Sequence, residues 1–161
     1  EDPLFETATE VQRRGGTSLV LPADVAEDGA AERLVAAVEE AWGGLDVLVN
    51  NAAVYVPRLL ADTSAEDWDA TLRINLRAPF LLLRAAFPAL ARRPGSCVIN
   101  VSSNIGARPV RGAAAYCVSK AGLDMLTRVA AIEWGASGVR ANSILLGIVR
   151  SDTDRPVVAS S

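Results

Sequence analysis

Short apolar runs at 18–21, 45–49, 97–101 and 139–145 alternate with stretches of helical period, and that alternation constrains the fold more than any other feature. Strands that alternate with helices build an α/β domain around a parallel sheet. Helices are predicted over 3–14, stopped by Gly15-Gly16, and over 27–42, with Leu34, Val35 and Val38 on the apolar side. Ser64 caps a third, with Asp67 at its third position, close to a capping box; it runs to about Arg92, bent near Pro79 or Pro88. A fourth covers 113–136. The first strand ends at Pro22, and Gly95 opens the run 97–101. That run shows no in/out alternation, which predicts cover on both faces of the sheet. Helices 66–92 and 113–136 are apolar nearly all round. Leu123, Leu126 and Ala130 lie to one side of the second, while Met125, Val129 and Ile132 spread round another. One face suits the sheet; the other needs the rest of the domain or, the favoured reading, a partner subunit.

The 161 residues fit one domain, and half of them are hydrophobic, enough for a core. Charged residues at 22% argue against disorder. A net charge of −3 leaves no basic footprint for nucleic acid. The longest apolar run, 78–90, is broken by Arg84 and Pro88, so no membrane span is expected. No signal peptide is visible. Histidine is absent, which removes His-based nucleophilic catalysis and His-ligated metals. Cys97 and Cys117 are too few for a disulfide framework or a thiolate zinc site, so no metal is expected and a reducing cytoplasm fits best. Cys117 reads as a small helix residue rather than a reactive thiol.

In open parallel sheets ligands sit at the carboxyl ends of the strands. Asp24, Asn51, Ser103 and the stretch after Leu145 all fall there. Tyr116 and Lys120 stand four apart on one helix face. A free tyrosine, with a pKa of about 10, is a poor base at neutral pH. A neighbouring ammonium favours the phenolate and is expected to lower that value. Ser103, at a strand end, is placed to hold a substrate oxygen beside the phenol. The trio reads as a proton-transfer device for a carbonyl/alcohol pair.

Leu45-Asp46-Val47-Leu48-Val49-Asn50-Asn51-Ala52-Ala53, Arg73-Ile74-Asn75-Leu76, Ile99-Asn100-Val101-Ser102-Ser103, Tyr116-Cys117-Val118-Ser119-Lys120 and Val139-Arg140-Ala141-Asn142 resemble, in order and spacing, the short-chain dehydrogenase/reductase family. A lone Tyr-x-x-x-Lys is weak; five motifs in register are strong. The resemblance implies a Rossmann-like doubly wound parallel sheet and an NAD(P)-dependent oxidoreductase interconverting a secondary alcohol and a carbonyl. Tyr116 then resembles the acid/base, and Lys120 the residue that tunes the phenol and holds the nicotinamide ribose. Ser103, not Ser102, has the spacing of the residue that orients the substrate oxygen. Asn75 resembles the asparagine that anchors a water on the proton path. Asp24 and Val25 resemble the pair beside the adenine, Asn51 the residue near the cofactor ribose, and Val149 the loop position at the carboxamide. The resemblance also implies a homodimer or homotetramer and a small-molecule substrate. The Tyr-to-Lys spacing of four argues against the enoyl-reductase branch.

The family's opening strand, its G-x-x-x-G-x-G turn and the second strand that selects NAD or NADP do not occur ahead of the first helix. The chain also stops soon after Ser151, ahead of the family's closing elements. Residues 1–161 therefore read as a single truncated domain lacking the first βαβ unit and the C-terminal elements, with the choice between NAD and NADP left open. Ala53 stands where glycine is usual, and Leu146 where a proline usually precedes Gly147. The expected function is that of the parent oxidoreductase. The alternative is a catalytically inactive module that dimerises through its two long apolar helices. Loop 104–115 should line the substrate pocket. Its Arg108 and Arg111 suit an anionic substrate or an acyl carrier, but read more readily as solvated.

Overall fold

The computed structural model describes residues 3–149. The expected end of the chain beyond Ser151 lies outside the described residues. Helix α1 (Pro3–Arg13) leads to α2 (Ala30–Trp42), strand β1 (Val47–Asn50), α3 (Ala65–Leu72), α4 (Ala78–Ala91), β2 (Cys97–Ser103), α5 (Ala114–Trp134) and β3 (Arg140–Leu146). The strands form a parallel sheet in the order β1-β2-β3, with Val47 opposite Cys97 and Cys97 opposite Arg140. The α/β parallel class expected from the alternation is the one observed.

Register decides which side chains meet the helices. Leu48, Asn50, Val98, Asn100, Ser102 and Ala141 point to one face, and Val98 and Asn100 are fully buried there. Val35 of α2, Leu83, Ala86 and Leu90 of α4, and Ala130 of α5 complete that core. Phe87 stacks on Trp134 beside it, with ring centres 4.8 Å apart. Val47, Val49 and Ile144 occupy the opposite face and stay roughly half exposed. The expected cover on both faces is therefore not found among the described residues. The run 97–101 lacks polar alternation because Cys97, Ile99 and Val101 are apolar on the open face, not because a second helical layer lies on it.

Segment 18–21 does not pair as a strand. Strand structure needs a neighbour's backbone donors and acceptors, and no described strand runs beside it. It lies instead along a groove with Val11 of α1 and Leu34 and Val38 of α2. Gly16 stops α1 by donating to the Val11 carbonyl (3.0 Å).

The predicted bend near Pro79 is a widened π turn over Arg73–Arg77, in which the Ala78 N–H reaches back to the Arg73 carbonyl. Pro79 has no N–H and offers no donor to the carbonyl of Asn75 four residues earlier. Pro88 is accommodated inside α4. The helical stretch Ala65–Ala91 is long and apolar enough to cross a membrane by length and composition alone. It is a packed element here: Leu83, Ala86, Ala89 and Leu90 are buried in the core. Arg77 pairs with Asp28 (2.6 Å), Arg84 with Glu32 (2.9 Å) and Arg92 with Glu39, tying α4 to α2 and to the turn before it.

Candidate active site

The carboxyl ends of β1, β2 and β3 and the first turns of α5 make one rim. Ser103 is the last residue of β2 and starts a tight turn, Asn104–Gly106, whose Ile105 N–H approaches its hydroxyl (3.4 Å). The Ser103 hydroxyl also makes a long contact to the Leu146 carbonyl at the end of β3 (3.5 Å). Gly106 is needed here: a β-carbon would come within 3.0 Å of the backbone of Lys120 and Ala121. That close approach brings the turn after Ser103 onto the helix carrying the other two residues. Ser102 points elsewhere, its buried hydroxyl donating to the Lys120 carbonyl (3.4 Å), a tie between β2 and α5.

Tyr116 stands in the first turn of α5 with its phenol half-buried. Burial raises its pKa above the ordinary value; the Ser103 hydroxyl pulls the other way, and Cys117 and Tyr55 push it up further. The expected lowering by Lys120 is not found. The Lys120 ammonium lies 5.6 Å from the centre of the Tyr116 ring and donates to the Val101 carbonyl (2.7 Å). An ammonium over the ring and bonded to backbone does little for a phenolate oxygen, so desolvation wins. Burial also lowers the Lys120 pKa, opposed by the carboxylate of Asp124. Lys120 is only 2% exposed, yet among the described residues its ammonium donates to one acceptor, the Val101 carbonyl. Two of its three N–H donors remain for a ligand.

Asn75 sits in the π turn with no exposed surface. Its Oδ1 accepts from the Val54 N–H (2.8 Å), while its Nδ2 donates to the Val54 carbonyl (2.9 Å) and to the Ser119 hydroxyl (3.1 Å). Ser119 donates in turn to the Tyr116 carbonyl (2.8 Å). This side chain therefore locks the loop after β1 to the first turns of α5. A second buried ladder runs from Asn50 Nδ2 to Asn100 Oδ1 (2.7 Å) and from Asn100 Nδ2 to Thr127 (2.8 Å). Oδ1 of Asn50 is buried with no partner among the described residues.

Val25 and Asn51 line one small cavity of about 80 Å³, with Asn50, Ala52, Ile74 and Pro79. Asp24 is not among the residues lining it; its carboxylate accepts from the Ala26 N–H (2.9 Å) and from Arg73 (3.4 Å). Val149 lies past β3, well exposed. The structure thus brings Ser103, Tyr116, Lys120 and Asn75 together, and sets Val25 and Asn51 in a crevice at the end of β1. Two neighbours escape a reading by motif. Ser119 falls inside Tyr-x-x-x-Lys at an unspecified position. Tyr55 lies in an irregular loop, and its edge meets Tyr116 only in three dimensions, with ring centres 5.2 Å apart.

A family model described as enoyl-(acyl carrier protein) reductase covers residues 1–160. The 2,5-dichloro-2,5-cyclohexadiene-1,4-diol dehydrogenase LinX of Sphingobium indicum is 36% identical over 147 residues, 91% of this chain and 59% of that protein. The chain belongs to the short-chain dehydrogenase/reductase family. Another family member, the short-chain dehydrogenase/reductase eriH of Hericium erinaceus, is 40% identical over 148 residues, 91% of this chain and 58% of its own length. Among solved structures, a short-chain dehydrogenase/reductase from Burkholderia xenovorans superposes with a TM-score of 0.87 at 30% identity, covering 92% of this chain and 59% of that one. A short-chain alcohol dehydrogenase from Sinorhizobium meliloti gives 0.85 at 33% identity, covering 88% and 56%. The Rossmann-like fold of the family is therefore shared, and the chain spans somewhat over half the length of these relatives.

Proposed function

We propose that this chain carries the proton-transfer half of an NAD(P)-dependent oxidoreductase that interconverts a secondary alcohol and a carbonyl. The observation that carries the reading is the buried Lys120 ammonium with two uncommitted donors, beside a half-buried Tyr116 phenol that neighbours the Ser103 hydroxyl. A vicinal diol, such as that of a ribose, satisfies those two donors. The described residues fit the nicotinamide-ribose part of the cofactor: Lys120, Tyr116, Asn51 and Val149 would hold it, with Asp24 and Val25 toward the adenine. They contain no glycine-rich turn for a pyrophosphate. When bound, the nicotinamide supplies or accepts the hydride.

Because burial favours the neutral phenol, Tyr116 hands its proton to a carbonyl oxygen in reduction; in oxidation the phenol first gives up its proton to solvent, and the phenolate then takes the alcohol's proton. Ser103 holds that same oxygen and fixes its orientation. The Asn75 carbonyl, denied a donor at the usual spacing by Pro79, accepts from a water that links Lys120 to solvent. Relatives are named for a cyclohexadienediol, which carries alcohols, and for a 3-oxoacyl-[acyl-carrier-protein], which carries a carbonyl. Two free thiols fit a reducing cytoplasm.

Tyr116→Phe is the direct test. In the full-length parent, turnover should fall by roughly 10²- to 10⁴-fold, the usual worth of general acid–base catalysis, while NADH fluorescence titration still shows saturable binding. Unchanged turnover would sink the assignment.

A second reading, a non-catalytic dimerising module, is favoured by one observation. Phe80, Met125, Val129 and Ile132 leave an exposed apolar surface on α4 and α5. Absence of saturable NADH binding, together with a stable dimer, would favour it. Pairing of two copies through that surface also suits the enzyme reading.

A further inference from the structure

The loop after β1 is anchored at two points, and Tyr55 sits between them. Upstream, both backbone groups of Val54 are bonded to Asn75. Downstream, the Arg58 N–H donates to the Gly112 carbonyl (3.0 Å), and Arg58 bridges to Ala113 just ahead of α5. The Arg58 guanidinium lies 3.8 Å from Asp67. Only three residues, Tyr55, Val56 and Pro57, lie between these anchors, which holds their side chains in place. The Tyr55 ring meets the Tyr116 ring edge-on, with planes at 76° and centres 5.2 Å apart. It nevertheless stays 44% exposed. Tyr55 also contributes to the raised pKa of Tyr116, so its phenol lies within electrostatic reach of the reacting hydroxyl.

A rigid, partly open aromatic ring touching the acid/base presents a flat apolar surface beside the point where a substrate oxygen would sit. On the other side of Ser103, the end of β3 contributes Leu146, whose carbonyl meets the Ser103 hydroxyl and which is 38% exposed. Neither flank carries a charge.

We propose that Tyr55 is a specificity-determining residue, whose ring is the wall on which a cyclic unsaturated or aryl substituent of the substrate packs while the substrate oxygen meets Tyr116. The proposal rests on the oxidoreductase reading for the position of that oxygen. Such a ring gains an offset or edge-on contact that an acyclic alkyl group of similar size does not match.

The test needs no turnover. The chain has two tyrosines, so their ring NMR signals are assigned by Tyr55→Phe and Tyr116→Phe. 1-Phenylethanol and 2-butanol are titrated against the chain, with and without saturating NAD or NADP. Saturable shifts of both tyrosine signals by 1-phenylethanol are expected, with affinity roughly fivefold weaker in Tyr55→Leu and preserved in Tyr55→Phe. The 2-butanol titration should not distinguish the three proteins. Tyr55→Leu keeps apolar bulk, and its chemical-shift dispersion shows whether the fold survives. If it unfolds, the comparison of Tyr55→Phe with Tyr55→Trp replaces it, both being expected to retain the preference for the ring. Equal affinities for the two alcohols in the native chain, equal loss of both in Tyr55→Leu, or no saturable shift by 1-phenylethanol would overturn the proposal. Its failure is separable from that of the parent reading: Tyr116-dependent turnover with no Tyr55 effect removes only this inference, whereas ring binding at Tyr55 without NAD(P)-linked turnover in the full-length parent removes the enzyme reading and leaves Tyr55 a ring-binding surface with no role in specificity.

Discussion

Asn75 shows how one side chain sets the geometry around another. It does not face the reacting atoms through its amide, which is wholly committed to Val54 and Ser119. Asn75→Ala would leave two Val54 backbone groups and the Ser119 hydroxyl short of a partner, at a cost of about 2–4 kcal/mol. Thermal unfolding should record that loss, and the aromatic contact between Tyr55 and Tyr116 should loosen with it, visible as merging of their ring signals. Retained stability would mean that water replaces the amide. The acid/base itself is predicted to titrate late. Burial favours the neutral phenol, so the ultraviolet phenolate difference between native protein and Tyr116→Phe should rise only above the ordinary value of about 10. A phenolate signal near neutral pH in the free chain would contradict this.

At the scale of elements, the α2–α4 pairing ties stability to pH. Asp28 and Glu32 both have lowered pKa values, Asp28 mainly through its hydrogen bond to Arg77, and Glu32 through a backbone hydrogen bond and then Arg84. A carboxylate whose folded pKa lies below its unfolded one stabilises the fold above the unfolded value. That contribution disappears as pH falls through the lowered folded value. Acid titration of stability should therefore be shallower in the double variant Arg77→Gln, Arg84→Gln than in the native chain. Both carboxylates are solvent-exposed, so the effect should also shrink in high salt. Parallel acid limbs in the two proteins would show that these pairs contribute nothing.

For the molecule as a whole, the two open apolar surfaces matter most. Val47, Val49 and Ile144 lie on the bare side of the sheet; Met125 and Ile132 lie on the outside of α5, with Ile132 82% exposed. Surfaces of this kind mark contacts, and sedimentation velocity at micromolar concentration should find the chain associated. Ile132→Asp tests the helix face and Val49→Lys the sheet face. We expect Ile132→Asp to restore the monomer, as pairing through α4 and α5 requires. A native chain that sediments as a monomer would remove that pairing from the account.

Most of the fold was legible because it rests on local physics. Ser64 caps α3 by accepting from the Asp67 N–H (3.0 Å), as its spacing implies, and the apolar runs that became β1, β2 and β3 were recognisable by composition. Ser103, Tyr116 and Lys120 were legible because strand-end and i,i+4 positions place residues without knowledge of the rest of the chain. Segment 18–21 was misread because pairing is a property of two strands, and one strand's sequence does not say whether its neighbour is there. The sheet's second face was misread for the same reason: an apolar side chain prefers cover but does not supply it. The sequence alone determined which residues alternate, cap and stand on one helix face. Only the tertiary structure decided where Lys120 sends its proton donors, which way the Tyr116 pKa moves, and that Tyr55 stands against it, because desolvation and contact depend on atoms far apart along the chain.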